Sequence, residues 1–316
     1  MRWRETAAFA IAAAFLLLLP DILGANPYLL HIAILTCLYA IPAMGLNLML
    51  GYAGLVSLGH AALAGIGGYT AAILMVEAGI GFWSSLPLAA LAATIAGAAI
   101  GVLCLRLRSH FFMIVTLAFG LVLFAVMNNW DSLTGGAAGL AGVPRPGPIA
   151  VGGIEIAFRS MTQFYRLVAV ATLAIFLFQL LLVRSDFGRI LSSLKQDETL
   201  AAFRGVDPML NKVAVFAIGS GLAGLGGALQ VSYLRVAAPS MFDMVESINL
   251  VLIVVVGGAG YSLGPALGSV LFVGLPELLR MASAYRLVLF GVVLVLVMLF
   301  ARRGLAGLVV RKPAAS

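Results

Sequence analysis

Residues 167–183 read LVAVATLAIFLFQLLLV and carry no charged side chain. Because the hydrocarbon core of a bilayer is about 30 Å thick, a helix needs roughly 20 apolar residues to cross it. This run approaches that length, and residues 287–300 form a second run of the same kind. The strands of a membrane β-barrel would instead alternate polar and apolar residues over short segments. The sequence therefore predicts an all-α protein, a polytopic transmembrane helical bundle.

Composition supports a membrane protein and argues against nucleic-acid binding. Of the 316 residues, 63% are hydrophobic and 10% are charged, and the mean hydropathy is +1.13. The net charge of +7 comes from 19 basic residues that cluster at the ends of apolar runs, where a cytoplasmic bias of Lys and Arg explains them. Cys37 and Cys104 have neither metal-ligand nor disulfide spacing, so we expect buried thiols and no metal site.

Apolar runs recur along the whole chain. They cover residues 7–23, 29–50, 57–76, 86–105, 111–127, 164–183, 213–229, 248–256, 263–279 and 287–300. The run 248–256 is too short to span as an ordinary straight helix. Either it and 263–279 are separate spans, giving about ten in all, or they form a re-entrant pair, giving about eight. We expect 7–23 to be an uncleaved first span, since another apolar run follows almost at once.

Lysine and arginine in the short connections set the orientation, because these residues are enriched on the cytoplasmic side. We therefore expect both termini to be cytoplasmic. The chain then forms a single transmembrane domain over 1–316, with an extracytoplasmic loop at 128–163 and a cytoplasmic loop at 184–212. The extracytoplasmic loop is rich in Gly and Pro and cannot continue a helix. It is either a connector or part of a docking surface for a soluble partner.

The polar stretch 184–208 is unlike its apolar surroundings. Hydrophobic residues such as Ile190, Leu191 and Leu194 recur among its charges with helical spacing, and Gly205 and Pro208 end its second half. This pattern predicts one or two short helices outside the membrane. From composition alone, the segment could also be a solvated helix at the membrane interface.

One motif in this loop has a known counterpart. The order Glu198, two residues, Ala201-Ala202, two residues, Gly205 resembles the loop by which permease subunits of ABC importers contact their ATPase subunits. In that family the short helix fits a cleft on the ATPase and carries its closure to the membrane spans. The resemblance implies that Glu198, Ala201, Ala202, Phe203 and Gly205 form the ATPase contact. The small alanines permit close approach, and the glycine permits the turn that follows.

Three longer stretches are similar to branched-chain amino-acid permeases of the LivM type. They are residues 187–229 around the loop, the Gly-rich segment LNLMLGYAGLVSLGHA at 46–61, and VVGGAGYSLGP at 255–265. The resemblance implies a permease subunit of a binding-protein-dependent ABC importer for branched-chain or related small amino acids, in the bacterial inner membrane. It also implies the partners: a second homologous permease subunit, two ATP-binding cassette subunits and an extracytoplasmic solute-binding protein, with membrane lipid around the spans.

Energy must come from those partners. The sequence has no Gly-x-x-x-x-Gly-Lys-Ser/Thr phosphate loop, so the chain is not the ATPase itself. It also lacks a catalytic constellation that would support a membrane enzyme, so we expect no catalytic residues. We expect no cofactor bound by this chain, with ATP and Mg used by the ATPase subunits.

The Gly-rich segments are where a solute could bind. Their glycines either let helices pack closely or break a helix and free its backbone groups. Freed amides would favour a carboxylate and freed carbonyls an ammonium, which suits a zwitterionic amino acid. A weak echo of 53–63 in 259–267 suggests repeated halves, although chance similarity explains it equally well. The pathway candidates are the glycines and polar side chains nearest the possible breaks: Asn47, Gly51, Gly54, Ser57, His60, Asn249, Gly257 and Gly258.

Other functions remain open on the sequence alone. An ion- or proton-coupled carrier working alone is one, but carboxylates in mid-membrane are scarce, since Glu77 and Glu246 lie near span ends and Glu277 follows Pro276. A non-transporting membrane scaffold is another. Within the same family, urea, short amides or other small organic solutes are alternative substrates.

Overall fold

The computed structural model describes residues 16–21, 26–105, 109–151, 154–156, 158, 160–278, 291–292, 295, 299, 301 and 304–309. Most of these residues are helical. The helices are α1 (Pro27–Asn47), α2 (His60–Val76), α3 (Phe82–Cys104), α4 (Ser109–Asn129), α5 (Asp131–Thr134), α6 (Met161–Arg184), α7 (Asp186–Gln196), α8 (Glu198–Phe203), α9 (Pro208–Leu234), α10 (Met244–Gly257), α11 (Gly264–Ser269), α12 (Leu275–Leu278) and α13 (Gly304–Val309). π-helical turns continue α1 at Leu48–Tyr52 and join α11 to α12 at Val270–Gly274.

Several of these helices can cross a membrane. Six segments are long and apolar enough: Pro27–Tyr52, Phe82–Cys104, Phe111–Asn129, Met161–Arg184, Pro208–Leu234 and Pro239–Gly257. Two apolar helices are shorter: His60–Val76 lies between the first two of these segments, and Gly264–Gly274 follows the last of them. These segments confirm the predicted polytopic bundle. The predicted spans at 7–23 and 287–300, and both termini, lie largely outside the described residues.

α10 is longer than the apolar run 248–256 suggested. The Asp243 carboxylate accepts a hydrogen bond from the Glu246 backbone nitrogen at 2.9 Å, so the helix begins at Met244. Together with the 3₁₀ turn Pro239–Phe242, it forms the 19-residue segment Pro239–Gly257. Because its first turn is polar, hydropathy alone did not predict that the helix starts here.

α9 lies at the centre of the bundle and packs against α1, α2 and α3. Glycines bring the backbones together. Gly224 of α9 lies against Gly67 of α2, and Gly219 lies against Gly45 of α1, so that a Cβ atom added at Gly67, Gly45 or Gly219 would overlap the facing backbone. Small residues allow this approach where lipid provides little hydrophobic drive between helices. Gly67, which follows the Gly-rich segment 46–61, therefore serves close helix packing.

The 128–163 loop, predicted to be extracytoplasmic, lies on the same side of the bundle as the segment that follows α9. Short strands mark them: β1 (Leu140–Ala141), β2 (Ile149–Val151) and β3 (Ile154–Ile156) in the 128–163 loop, and β4 (Val236–Ala237) after α9. β1 pairs antiparallel with β4, and β2 with β3. At the start of α3, the indole Nε1 of Trp83 donates to the Gly147 carbonyl oxygen at 3.0 Å. The Gly- and Pro-rich loop is therefore packed onto the ends of α3 and α9.

Candidate functional site

The first Gly-rich segment breaks its helix. After α1, the π-helical turn Leu48–Tyr52 is followed by non-helical residues 53–59, and α2 starts at His60. Gly54 has φ +72°, a left-handed conformation that residues with a side chain rarely adopt. We call residues 48–59 the first break. An interruption of this kind frees carbonyl groups that would otherwise bond within a helix.

The second Gly-rich segment is also an interruption. α10 ends at Gly257 and α11 begins at Gly264, and Gly258 between them has φ +117°. The intervening residues form tight turns: the Tyr261 nitrogen donates to the Gly258 carbonyl at 3.2 Å, and the Gly264 nitrogen to the Tyr261 carbonyl at 3.0 Å. We call residues 258–263 the second break. Both segments that echo each other in sequence are thus breaks in apolar helices.

The two breaks contact each other directly. The Asn47 amide nitrogen donates to the Tyr261 carbonyl oxygen at 2.9 Å, and the Asn47 Oδ1 accepts from the Gly260 nitrogen at 2.9 Å. Gly51 lies so close to Gly260 that a Cβ atom at Gly51 would overlap the Gly260 backbone. We call the contact between residues 47–52 and 260–262 the break junction.

Two side chains, one from each break, also contact each other at the break junction. The Tyr52 hydroxyl lies 3.0 Å from the Ser262 hydroxyl. Asn47 is fully buried, and both polar ends of its amide are bonded. Because buried polar groups are stable only when bonded, these contacts hold the two breaks against each other.

Polar atoms without a partner lie beside the first break. The His60 Nε2 is 2.9 Å from the Pro42 carbonyl oxygen in α1, but the His60 Nδ1 has no hydrogen-bond partner among the described residues. The Ser57 hydroxyl also lacks one within the described part of the chain. Both side chains are fully buried. Because an unpaired polar atom in an apolar interior costs free energy, such atoms mark places where a water or a solute can complete the bonding.

Asn249 lies apart from the break junction. It precedes Gly257 by about two turns of α10, a rise of about 12 Å, and its amide donates to Glu246 Oε2 at 3.1 Å. Glu246 lines a cavity between α1, α2, α9 and α10, together with Tyr39 and Gln230. The cavity measures about 10 Å³, room for one water. Glu246 was not among the pathway residues predicted from the sequence, although a carboxylate in the first turn of an apolar helix is a signal that could have found it.

The loop predicted to be cytoplasmic folds as two short helices, α7 and α8, as its pattern predicts. α8 begins after Asp197, whose Oδ1 accepts from the Leu200 nitrogen at 2.9 Å. Ala201 is buried, whereas Ala202 is exposed and the Phe203 side chain is 85% exposed. Of the predicted contact residues, Ala202 and Phe203 thus point outward, and Ala201 faces the chain itself.

Glu198 and Gly205 shape this loop. Glu198 Oε2 accepts from Lys212 Nζ at 2.5 Å, which joins the first turn of α8 to α9. Gly205 has φ +85° and makes the turn between the two helices, with open space around the position of its missing Cβ. The loop is therefore an ordered part of the bundle with one outward apolar corner.

Lys195 connects this loop to the first break, and sequence analysis did not select it. The Lys195 Nζ donates to the Gly51 carbonyl oxygen at 2.6 Å. Its Cγ lies 3.3 Å from the position that a Cβ of Gly54 would take. No local sequence signal could have found this contact, because it joins segments 144 residues apart.

The family described as "Branched-chain amino acid transport system / permease component" matches residues 28–301. The high-affinity branched-chain amino acid transport system permease protein LivM of Escherichia coli K12 is 32% identical over 292 residues, which cover 87% of this chain and 69% of the relative. The protein of the same name from Salmonella typhimurium LT2 is 33% identical over 296 residues, with the same two coverages. No solved structure matches.

Proposed function

We propose that this chain, which belongs to the family of branched-chain amino acid transport permeases, is a transmembrane subunit of a binding-protein-dependent ABC importer. It is a multi-pass membrane protein and not an enzyme. Branched-chain or related small amino acids are the proposed substrates, and the bacterial inner membrane is the proposed location. The observation that carries this proposal is the cytoplasmic loop, which presents Phe203 and Ala202 outward and bonds through Lys195 to the first break.

In this proposal the outward corner of α8 is the ATPase contact. A largely exposed phenylalanine leaves apolar area in water that a partner can cover. Ala202 beside it leaves room for a partner surface to approach. Two ATP-binding cassette subunits bind ATP and Mg and hydrolyse the ATP, and this chain receives their movement through α8. A second homologous permease subunit completes the membrane part of the complex.

The extracytoplasmic face is the proposed docking surface for the solute-binding protein. The β1–β4 pairing and the Trp83–Gly147 hydrogen bond fix the 128–163 loop to α9 and α3. A protein that docks on this loop would therefore act on two helices of the bundle. This arrangement favours the docking role over that of a simple connector.

The proposed solute pathway runs past the two breaks. The Ser57 and His60 polar atoms that have no partner among the described residues, and the backbone groups released by the interruptions, are suited to the charged ends of an amino acid. Glu246 and Asn249 lie farther out along α10. The pathway residues of this proposal are Asn47, Gly51, Gly54, Ser57, His60, Asn249, Gly257 and Gly258.

The test is assembly and ATP-dependent uptake with a substitution at Ala202. Ala202→Arg places a bulky charge at the contact and should lower both ATPase co-purification and uptake about tenfold or more. Ala202→Ser keeps the side chain small and should retain both. The proposal fails if the intact chain never associates with an ATPase and Ala202→Arg leaves uptake unchanged.

Glu246 favours a second candidate, an ion-coupled carrier. It is a carboxylate facing an interior cavity, the kind of group through which carriers bind a cation or a proton. The isolated chain in vesicles with an ion gradient and no ATP separates the two functions. Uptake under these conditions establishes the carrier, and uptake only with ATP and the partner subunits establishes the importer.

A further inference from the structure

We propose that Lys195 is a positioning residue that transmits movement of the cytoplasmic loop to the break junction, so that ATPase closure and opening of the solute pathway are coupled. This inference rests on the proposed function. It adds a specific residue and contact by which the loop reaches the pathway.

The first observation is the bond at the end of α7. Lys195 Nζ donates to the Gly51 carbonyl oxygen at 2.6 Å. Gly51 lies in the π-helical turn that ends α1, where backbone carbonyls carry partial negative charge that a cation stabilises. A hydrogen bond from a charged donor is also stronger than one between neutral groups. The lysine therefore holds the first break by its backbone.

The second observation is packing on Gly54. The aliphatic part of Lys195 lies over Gly54, which has φ +72°. A larger residue at Gly54 would be strained by this backbone conformation and would press on the Lys195 stem. The same side chain thus contacts the first break at two points, one polar and one apolar, so a displacement of Lys195 displaces the break.

The third observation is the position of Gly51 within the junction. Its backbone abuts Gly260 of the second break, and the next residue, Tyr52, is hydrogen-bonded to Ser262. A pull on the Gly51 carbonyl therefore acts on both breaks. Since packed contacts of this kind change between discrete arrangements and do not stretch continuously, a small displacement can release the junction.

The fourth observation links Lys195 to the ATPase contact. Asp197 alone separates α7 from α8. Its backbone nitrogen donates to the Ser193 carbonyl of α7 at 3.0 Å, and its carboxylate caps α8 through the Leu200 nitrogen at 2.9 Å. The two helices are thus joined by one bonded residue, and a push on Phe203 moves the end of α7 that carries Lys195.

The experiment uses the complete importer, with the full-length chain and its partner subunits, in proteoliposomes. It measures solute imported and ATP hydrolysed in the same sample. Lys195→Met keeps the aliphatic stem and removes the donor. Lys195→Arg keeps a cation and should retain most of the coupling. Arg189→Met is the matched control, because Arg189 is an exposed cation on the same helix that pairs with Asp186 and not with either break.

We expect the Lys195→Met complex to hydrolyse ATP within about twofold of the wild-type rate while solute imported per ATP falls about tenfold. Arg189→Met should match the wild type in both quantities. Wild-type import per ATP in Lys195→Met would overturn the inference. A parallel loss of uptake, hydrolysis and thermal stability would also overturn it, because that result describes a structural role only.

Two further outcomes are separable. If the Lys195→Met complex does not assemble, Lys195→Gln replaces it in the experiment. The glutamine side chain is neutral and too short to keep the bond to Gly51. This variant is then judged by the same quantity, solute imported per ATP. If the wild-type complex itself shows no ATP-dependent uptake, the proposed function fails. If the wild type and Lys195→Met both import the same amount of solute per ATP, only the inference is overturned.

Discussion

The two helix breaks are held in place by different kinds of contact. The first break is anchored by side chains from other helices. Thr116 of α4 accepts a hydrogen bond from the Leu58 nitrogen at 3.2 Å, and Ser247 of α10 accepts one from the Ala61 nitrogen, at the start of α2, at 3.0 Å. Lys195 of α7 adds the bond described above. This break is therefore connected by side chains to three other helices, α4, α7 and α10.

In addition to the side-chain bonds of the break junction, the second break is held by backbone packed on backbone. Gly257 lies against Gly264, and Gly304 of α13 lies against Gly258, so that a Cβ atom at either Gly257 or Gly304 would overlap the facing backbone. Hydrogen bonds from side chains can break and reform, whereas such close packing has little room to adjust. We therefore infer different roles for the two breaks. The first break shifts when the helices bonded to it shift, and the second break stays rigid while the first packs against it.

The largest effect is expected at Gly51. Gly51→Ala inserts a Cβ atom into the Gly260 backbone and the Asn47 amide, which should force the junction apart and abolish uptake. Gly81→Ala is the matched control, because Gly81 has φ −62° and, apart from its chain neighbours, no atom of the described residues lies within 4 Å of its Cβ position. Solute uptake by the assembled complex is the measurement. Equal uptake by the two variants would show that the breaks do not need their close contact.

A strong effect on stability is expected at Gly257. Gly257→Ala pushes into the Gly264 carbonyl, and overpacking of this kind costs about 1–3 kcal/mol. Thermal unfolding in detergent should show the loss, while Gly274→Ala, whose added Cβ would contact none of the described residues beyond its own helix, should not change the melting temperature. A stable Gly257→Ala protein would contradict the view that the second break is the rigid one.

Asn47 tests the link between the breaks. Asn47→Ala removes the bonds to Gly260 and Tyr261 and leaves their backbone groups unpaired, which should cost about 1–3 kcal/mol. Asn47→Asp keeps the acceptor for Gly260, but an ionised Asp places an unpaired charge beside the Tyr261 carbonyl in this fully buried site, so it should be at least as destabilising as Ala at neutral pH. Thermal unfolding in the same detergent measures both. If Asn47→Ala is as stable as the wild type, the link contributes nothing.

The smallest effect is expected at Tyr52. Tyr52→Phe removes only the hydroxyl bonded to Ser262, a change of about 0.5–1.5 kcal/mol. Because the two hydroxyls share one bond, Tyr52→Phe combined with Ser262→Ala should cost less than the sum of the single changes. A double-mutant cycle on unfolding measures this coupling, and strict additivity would show that the pair does not interact.

The fold could be predicted from the sequence where hydropathy alone decides the element. The uncharged run 167–183 lies within α6, and its helix requires no knowledge of any other segment. The start of α10 was missed for the converse reason, since Asp243 and Glu246 lower the hydropathy of a turn that caps the helix. Hydropathy therefore fails to predict the start of a helix where polar residues cap its first turn.

The candidate site could be predicted only in part. Glycine content indicated the positions of both breaks, because glycine tolerates the backbone that an interruption requires. The pairing of Asn47 with Gly260 and of Lys195 with Gly51 joins distant segments and has no local signature. Asn249 was grouped with the breaks from its sequence context, but the helical rise separates it from the junction. Which face of α8 points outward also depends on its packing against the bundle.

The most direct test of the account is the distance between the two breaks during transport. Spin labels at Leu50→Cys and Leu263→Cys, beside the junction, in a variant with Cys37 and Cys104 replaced by Ala, would report it by pulsed electron resonance in the assembled complex. The account predicts a shift to longer distances in part of the population during ATP turnover, and no shift without ATP. An unchanged distance distribution in a complex that imports solute would contradict it.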